Sequence, residues 1–228
     1  MKLSALQEKL ARLYLRLNGY FLSGQVVHAS MHIATELDVL GVRFPFHRQP
    51  EREILSSEYL QIPADKVDVI IGEVKGRSAA VQFNAALREN KTESVEKLVN
   101  WFGMFDANDA IEVSRDLVAL LKTSNTNSPE NFKQLIKNEF SIRPILFAID
   151  RPAPTKNHVK YVHGQEILDY IWKCLRPDES RIDCSVTYNY EAWGEEFADL
   201  VKYFKGKTGG VGTAGDLYEY FSVSHDKE

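Results

Sequence analysis

The 228-residue chain is 44% hydrophobic and 26% charged, ordinary for a soluble globular protein and enough to bury a sizeable core. Its 28 basic and 32 acidic side chains leave a net charge of −4, which argues against nucleic-acid binding by bulk positive charge but leaves room for local basic clusters. No apolar run is long enough to span a bilayer and the charged N-terminus is not of secretory type; two cysteines without a C-x-x-C pairing, Cys174 and Cys184, suit a reducing, cytoplasmic setting and give no basis for a zinc site.

Leu3, Leu6, Leu10, Leu13, Tyr14 and Leu17 recur at helical spacing and Gly19 sits where a helix would stop, so residues 3–18 are predicted helical. Two stretches rich in β-branched and aromatic residues follow, "YFLSGQVVHAS" and "IATELDVLGVRFP". They read as strands, the second over about 34–44. A polar, Pro-bearing insertion separates them from a third strand, Lys66 to Lys75, whose apolar centre ends in Glu73 and Lys75. From Ser78 the pattern turns helical, in "SAAVQFNAALREN", "SVEKLVNWFGMFD", "DAIEVSRDLVALLK" and "PENFKQLIKNEF". "SIRPILFAID" then reads as a buried strand, "KYVHG" as a short one and "GQEILDYIWKCL" as a helix.

That order predicts an α/β fold with a mixed sheet flanked by helices, its strand–helix–strand portion pairing in parallel. Residues 1–176 form the main domain, with a helical insertion over about 92–140, and 177–228 a helical C-terminal extension. In that extension "EAWGEEFADLVKYFK" reads as a helix and "GKTGGVGTAGD" as a flexible surface loop. Lys207 and Thr208 precede the glycines, the reverse of the order a P-loop needs.

Period-two alternation places Glu36, Asp38 and Leu40 on one face of the second strand, with Leu37, Val39 and Gly41 on the other. On the third strand it groups Val69, Ile71, Glu73 and Lys75. Antiparallel pairing of the two strands sets Asp38 beside Glu73, with Lys75 close behind. Adjacent carboxylates repel, and each resists ionising unless a cation shares the site. Mg²⁺ suits such a place, being held by one or two carboxylates together with waters and substrate phosphates. The backbone carbonyl of Val74, between the two side chains, is a further candidate ligand. Lys75 then has a role in orienting or deprotonating water, or in stabilising charge on a phosphate under attack. The competing reading of Glu73 and Lys75 is a surface ion pair at a strand end.

These residues resemble the PD-(D/E)xK, or restriction endonuclease-like, nuclease superfamily. "TELDVLGV" followed by "DVIIGEVKG" is similar to its acidic strand and E-x-K strand, nearest to the Holliday-junction-resolvase-like branch. Glu8, Ala11, Leu15, Gly19 and Tyr20 match the first helix of that branch. The likeness covers roughly residues 5–85; Leu37 stands where Pro usually precedes the Asp, and the insertion between Arg43 and Lys66 exceeds a tight hairpin.

The resemblance implies an Mg²⁺-dependent deoxyribonuclease, with Mn²⁺ as a substitute, that hydrolyses DNA phosphodiester bonds through a metal-activated water. Asp38 and Glu73 would be metal ligands and Lys75 the catalytic lysine. Glu8 would complete the metal shell or remain an exposed helix glutamate. Glu36 would support Asp38 or be a strand-edge charge. Gln82, on the following helix, would orient the nucleophile, contact DNA or be solvated. The alternative is a catalytically weak or inactive nuclease-fold module that binds DNA, or a protein partner in a repair or defence assembly. A homodimer suits double-strand cutting, and no membrane association is expected.

Other candidates have simpler expectations. Arg12 with Arg16, Arg43 with His47 and Arg48, and Lys133 with Lys137 read as solvated faces. His28 and His32 lack a second ligand at useful spacing, Asp68 lies on the pleat opposite Glu73, and Asp150 ends a strand where a turn needs it. Trp101, Phe102, Phe105, Tyr170, Trp172 and Tyr203 fit helix-face packing.

Overall fold

The computed structural model describes residues 1–29, 32–48, 54–88, 92–122, 131–155, 159–176 and 194–221, with 25–29, 32–35 and 92 as backbone only. Helix α1 (Leu3–Leu17) leads into the hairpin β1 (Phe21–Ala29) and β2 (His32–Arg43), and β3 spans Val67–Val74. Helices α2 (Ala85–Arg88), α3 (Thr92–Phe102) and α4 (Ala107–Lys122) precede β4 (Leu135–Lys137) and β5 (Phe140–Ala148). The short β6 (Val162–His163) runs into α5 (Gly164–Leu175), and α6 (Gly194–Gly206) and α7 (Ala214–Tyr220) follow.

The strands form one mixed sheet in the order β1-β2-β3-β5-β4, with β6 also on β5. β3 runs parallel to β5 over eight register pairs, from Val67–Phe140 to Val74–Phe147, and α2 to α4 supply the crossover. The expected α/β class and parallel pairing are therefore present. Two expected helices are not. Among the described residues of "SAAVQFNAALREN" only Ala85–Arg88 is helical, because the Asn84 backbone is drawn into hydrogen bonds with Glu73. "PENFKQLIKNEF" holds strand β4, turned back onto β5 at Asn138 (φ 53°), a conformation asparagine tolerates well.

Each face of the sheet carries its own core. On one, α1, α5, α6 and α7 bury Leu6, Leu10, Ile167, Phe204 and Leu217 against Val39, Ile70, Ile145 and Phe147. On the other, α2 to α4 pack Leu87, Val95, Leu98 and Leu117 against Val69, Ile71, Ile142 and Leu146. The β5 strand serves both, which is why its sequence is apolar nearly throughout. Two glycines allow the close fits. Gly19 ends α1 at φ 86°, and a Cβ there would lie 2.4 Å from the His47 ring; one on Gly164 would lie 2.0 Å from the Ile149 carbonyl oxygen.

The first core encloses a charged network. Arg143 on β5, 1% exposed, donates from Nε and Nη2 to the two Asp68 oxygens (2.8 and 2.5 Å), from Nη1 to the Leu60 carbonyl (2.6 Å) and from Nη2 to the Tyr20 hydroxyl (2.9 Å). Tyr20 itself donates to Asp68 Oδ2 at 2.5 Å. Asp68 does face away from Glu73, as its pleat predicts. Much of the insertion after β2 is structural: Leu60 is fully buried, and Ser57 is held by Asn18 Oδ1 (2.8 Å) and Glu166 (2.6 Å).

The C-terminal helices are tied in by polar contacts as well. Asp150, at the end of β5, accepts from Gln7 Nε2 (2.7 Å) and from the Tyr218 hydroxyl (2.7 Å). The glycine-rich loop is anchored at both ends. Arg176 donates to the Lys205 and Lys207 carbonyls, and Thr213 and Asp216 form a reciprocal cap on α7.

Among the described residues no helix is long and apolar enough to cross a membrane. Arg12 pairs with Glu196, Lys137 with Asp109 and Glu112, and Trp101 is exposed rather than packed. Cys174 is buried; the side chains of His28 and His32, and all of Cys184, lie outside the described residues.

Removing one partner of a buried ion pair strands the other charge, at a cost of about 3–5 kcal/mol. Asp68→Ala is therefore expected to lower the urea midpoint sharply or leave the chain unfolded. Asp65→Ala, whose carboxylate is exposed, should stay within about 0.5 kcal/mol of the parent.

Candidate active site

The site lies where the β2–β3 ladder ends. Its last bridged pair is Val39–Gly72, so the next opposed positions are Asp38 and Glu73. Glu73 continues the side of Val69 and Ile71 and is 1% exposed, a buried carboxylate at the mouth of the second core.

Simple alternation does not describe β2. Ser23 opposes Leu40 but Gln25 opposes Leu37, so β2 carries one extra residue between Leu37 and Leu40. Leu37 and Leu40 consequently enter the same core and Val39 the opposite one, which corrects the expected grouping of Leu37 with Val39. A bulge of this kind re-aims side chains. Asp38, inside it, turns its carboxylate onto the end of β3, where Oδ2 accepts the Val74 N–H at 2.6 Å. Asp38 is thus held by the Val74 N–H, a contact separate from the Val74 carbonyl expected as a metal ligand.

Lys75, 9% exposed, has its backbone N–H fixed to the Phe147 carbonyl (2.8 Å). Its Nζ lies 2.5 Å from Glu73 Oε2 and 2.9 Å from Asn84 Oδ1. The Asn84 backbone N–H donates to both Glu73 oxygens (3.2 and 3.0 Å). The pair is therefore a buried arrangement of three residues, and the surface ion pair of the competing reading does not describe it. Asn84 was missed in the sequence. It precedes Ala85-Ala86-Leu87 in the position of a helix-starting asparagine, and its carbonyl does accept from Leu87 and Arg88, but nothing local says its side chain reaches Lys75.

Electrostatics joins the other acidic groups to this set. Burial pushes the Asp38 carboxyl above its ordinary pKa, and Glu36 adds to this, against the Val74 N–H and Lys75. Glu73 is raised by burial and by Asp38 despite Lys75 and Asn84. Glu8 on α1 is raised by burial, then by Asp38 and Glu36, with Arg12 opposing. Glu8 is half-buried and Glu36 exposed. Both therefore sit within electrostatic reach of Asp38. Gln82 does not join them. It lies in the loop before α2 and lines a separate cleft with Phe83, Pro144 and Leu146.

Among the described residues no group of three or more His, Cys, Asp or Glu side chains is arranged to hold a metal ion. Two carboxylates resisting ionisation, with a third nearby, still match the small protein share of an Mg²⁺ shell. Asp38 and Glu73 would hold the ion, with Glu8 a further carboxylate within electrostatic reach of Asp38. No family model matches the chain, and neither a curated protein nor a solved structure shows significant similarity to it.

A carboxyl whose folded pKa is raised binds its proton more tightly in the native state. Its contribution to stability is therefore complete below the ordinary carboxylate pKa and is lost as pH rises through the folded value. Metal-free protein should lose stability over that window, and Asp38→Asn, which keeps an acceptor for the Val74 N–H, should flatten the loss. Melting in EDTA between pH 4 and 7 measures this. The variant is expected to melt higher at pH 7, by about 2–4 °C per kcal/mol recovered.

Proposed function

We propose that the chain is a divalent-metal-dependent deoxyribonuclease of the restriction endonuclease-like fold. The observation carrying this reading is the opposition of Asp38 and Glu73 at one end of a mixed sheet, with the Lys75 ammonium 2.5 Å from Glu73. The parallel β3–β5 pairing, the flanking helices and Glu8 on the first helix support it.

When bound, Mg²⁺ or Mn²⁺ supplies positive charge beside a phosphate and acidifies water to nucleophilic strength. Asp38 and Glu73 hold negative charge where that ion is needed, and the sheet keeps them there. Lys75 keeps an ammonium beside Glu73, able to donate to water or to a phosphate oxygen as charge builds on it. Asn84 holds Lys75 on the Glu73 side, so the lysine is oriented before substrate arrives.

A second reading is favoured by the same closed contact. With Lys75 engaged by Glu73 and Asn84, the chain acts as a nuclease-fold module that binds DNA or a protein partner without cutting. Cleavage of single-stranded, duplex and branched DNA with Mg²⁺ or Mn²⁺ separates the two. The nuclease reading expects Asp38→Ala and Lys75→Ala each to lower the rate by about 10²–10⁴-fold. Cleavage unchanged in both variants would sink it. Absence of cleavage together with no calorimetric uptake of Mg²⁺ or Mn²⁺ would favour the binding module.

A further inference from the structure

Glu73 carries several contacts at once. The Asn84 backbone N–H donates to both of its oxygens (3.2 and 3.0 Å), and the Lys75 Nζ lies 2.5 Å from Oε2. An ionised carboxylate offers about four lone-pair positions, so these contacts leave it little to give. Mg²⁺ takes a carboxylate oxygen at about 2.0–2.1 Å, closer than the ammonium now stands. Two cations that near one another on a carboxylate only 1% exposed repel strongly. One of the present contacts has to yield.

The backbone contact is the worse candidate. Asn84 begins α2, where its carbonyl accepts from the Leu87 and Arg88 N–H groups. Upstream, Arg151 Nη2 donates to the Arg77 and Ala79 carbonyls (3.0 and 2.8 Å), which fastens the segment between β3 and Asn84 to the turn after β5. Lys75 is anchored through its backbone N–H, on the Phe147 carbonyl, but its ammonium ends a flexible four-carbon stem. That ammonium already has a second acceptor at hand, Asn84 Oδ1 at 2.9 Å. A lysine leaving Glu73 therefore keeps a partner.

Charge balance gives the exchange its sense. In the present arrangement one ammonium compensates two carboxylates, Glu73 by direct contact and Asp38 through space. A divalent ion on the same two groups takes over that compensation and makes the ammonium surplus. A surplus cation beside the ion is suited to the charge of an attacked phosphate.

We infer that Lys75 is a resident counter-ion that a divalent ion must displace from Glu73, with Asn84 as the positioning residue that receives it. The inference rests on the proposed metal site. On this account the closed Lys75–Glu73 contact is the resting state of the site, and the ammonium is released to a phosphate only once the ion is in place.

Metal uptake without substrate tests the exchange. Calorimetry of Mg²⁺ and Mn²⁺ with the full chain is run at low salt, where charge effects are least screened, and melting checks that each variant is folded. Lys75→Met removes the competing charge and is expected to bind the ion about 10-fold tighter than the parent. Lys75→Arg keeps the charge and should bind no tighter than the parent. Asn84→Ala deprives the displaced ammonium of its acceptor and should weaken uptake by about 3- to 10-fold, an effect that disappears when it is combined with Lys75→Met. Asn84→Asp, which keeps an acceptor there, should bind at least as tightly as the parent. A lysine that merely supported Glu73 would give the opposite sign in Lys75→Met.

Equal or weaker uptake in Lys75→Met than in the parent would overturn the exchange, as would no uptake by any form. If Lys75→Met does not fold, the two Asn84 variants decide: weaker uptake in Asn84→Ala but not in Asn84→Asp upholds the exchange, and any other pattern overturns it. Tighter uptake in Lys75→Met with no cleavage of DNA by the parent would leave the exchange and remove the nuclease reading. Asp38-dependent cleavage with uptake indifferent to Lys75 would do the reverse.

Discussion

Arg143 is buried beneath the N-terminal helix, and it can be there only because Asp68 meets it with both oxygens on the neighbouring strand. A charge taken out of water has to be matched in place, and this one is matched by groups from three other parts of the chain. Asp68 and Arg143 join β3 to β5, Tyr20 brings the turn after α1, and the Leu60 carbonyl brings the insertion. A different register between β3 and β5 would part the guanidinium from its carboxylate. The network therefore supports the one pairing that also places Glu73 beside Leu146.

The opposite end of β3 follows another logic. Asp68 has a fully committed partner in Arg143, whereas Glu73 and Asp38 stay above their ordinary pKa in spite of Lys75. Burial contributes most of that penalty, and the facing carboxylates add to it. The extra residue in β2 brings Leu37 and Leu40 into one core and turns the Asp38 carboxylate onto the Val74 N–H, next to Glu73 in the chain. Local electrostatic cost of this kind concentrates where a protein handles charged ligands.

The remaining elements hold this arrangement still. α1 carries Glu8 toward Asp38 on one side and Gln7 toward Asp150 on another, so a single helix reads both the β2–β3 ladder end and the end of β5. Tyr218 closes on Asp150 from α7. Ser57 and Leu60 bind the insertion back over α1 and α5, which makes that segment part of the first core. Rigid elements packed on both faces of the sheet are what keep three short contacts at Glu73 within hydrogen-bond range.

Much of this was legible in the chain. The spacing of Leu6, Leu10 and Leu13 marks α1, and the apolar runs around Ile70 and Ile145 mark two buried parallel strands, because burial on one or both faces imposes a period that neighbouring residues alone display. Asp38, Glu73 and Lys75 could be singled out for the same reason, as charges ending apolar strands. The bulge at Asp38–Val39 could not, since it exists only as a slip against β1. Neither could the helix expected over Ser78–Asn84 be rejected, because its apolar spacing is helical and only Glu73 competes for the Asn84 backbone. Gln82 was the residue the sequence singled out; folding gave Asn84 to Lys75 and left Gln82 at a separate cleft. Local pattern determined which segments are buried and which residues carry charge at their ends. Tertiary structure alone decided which of those charges meet, because each meeting is between residues that chain order keeps apart.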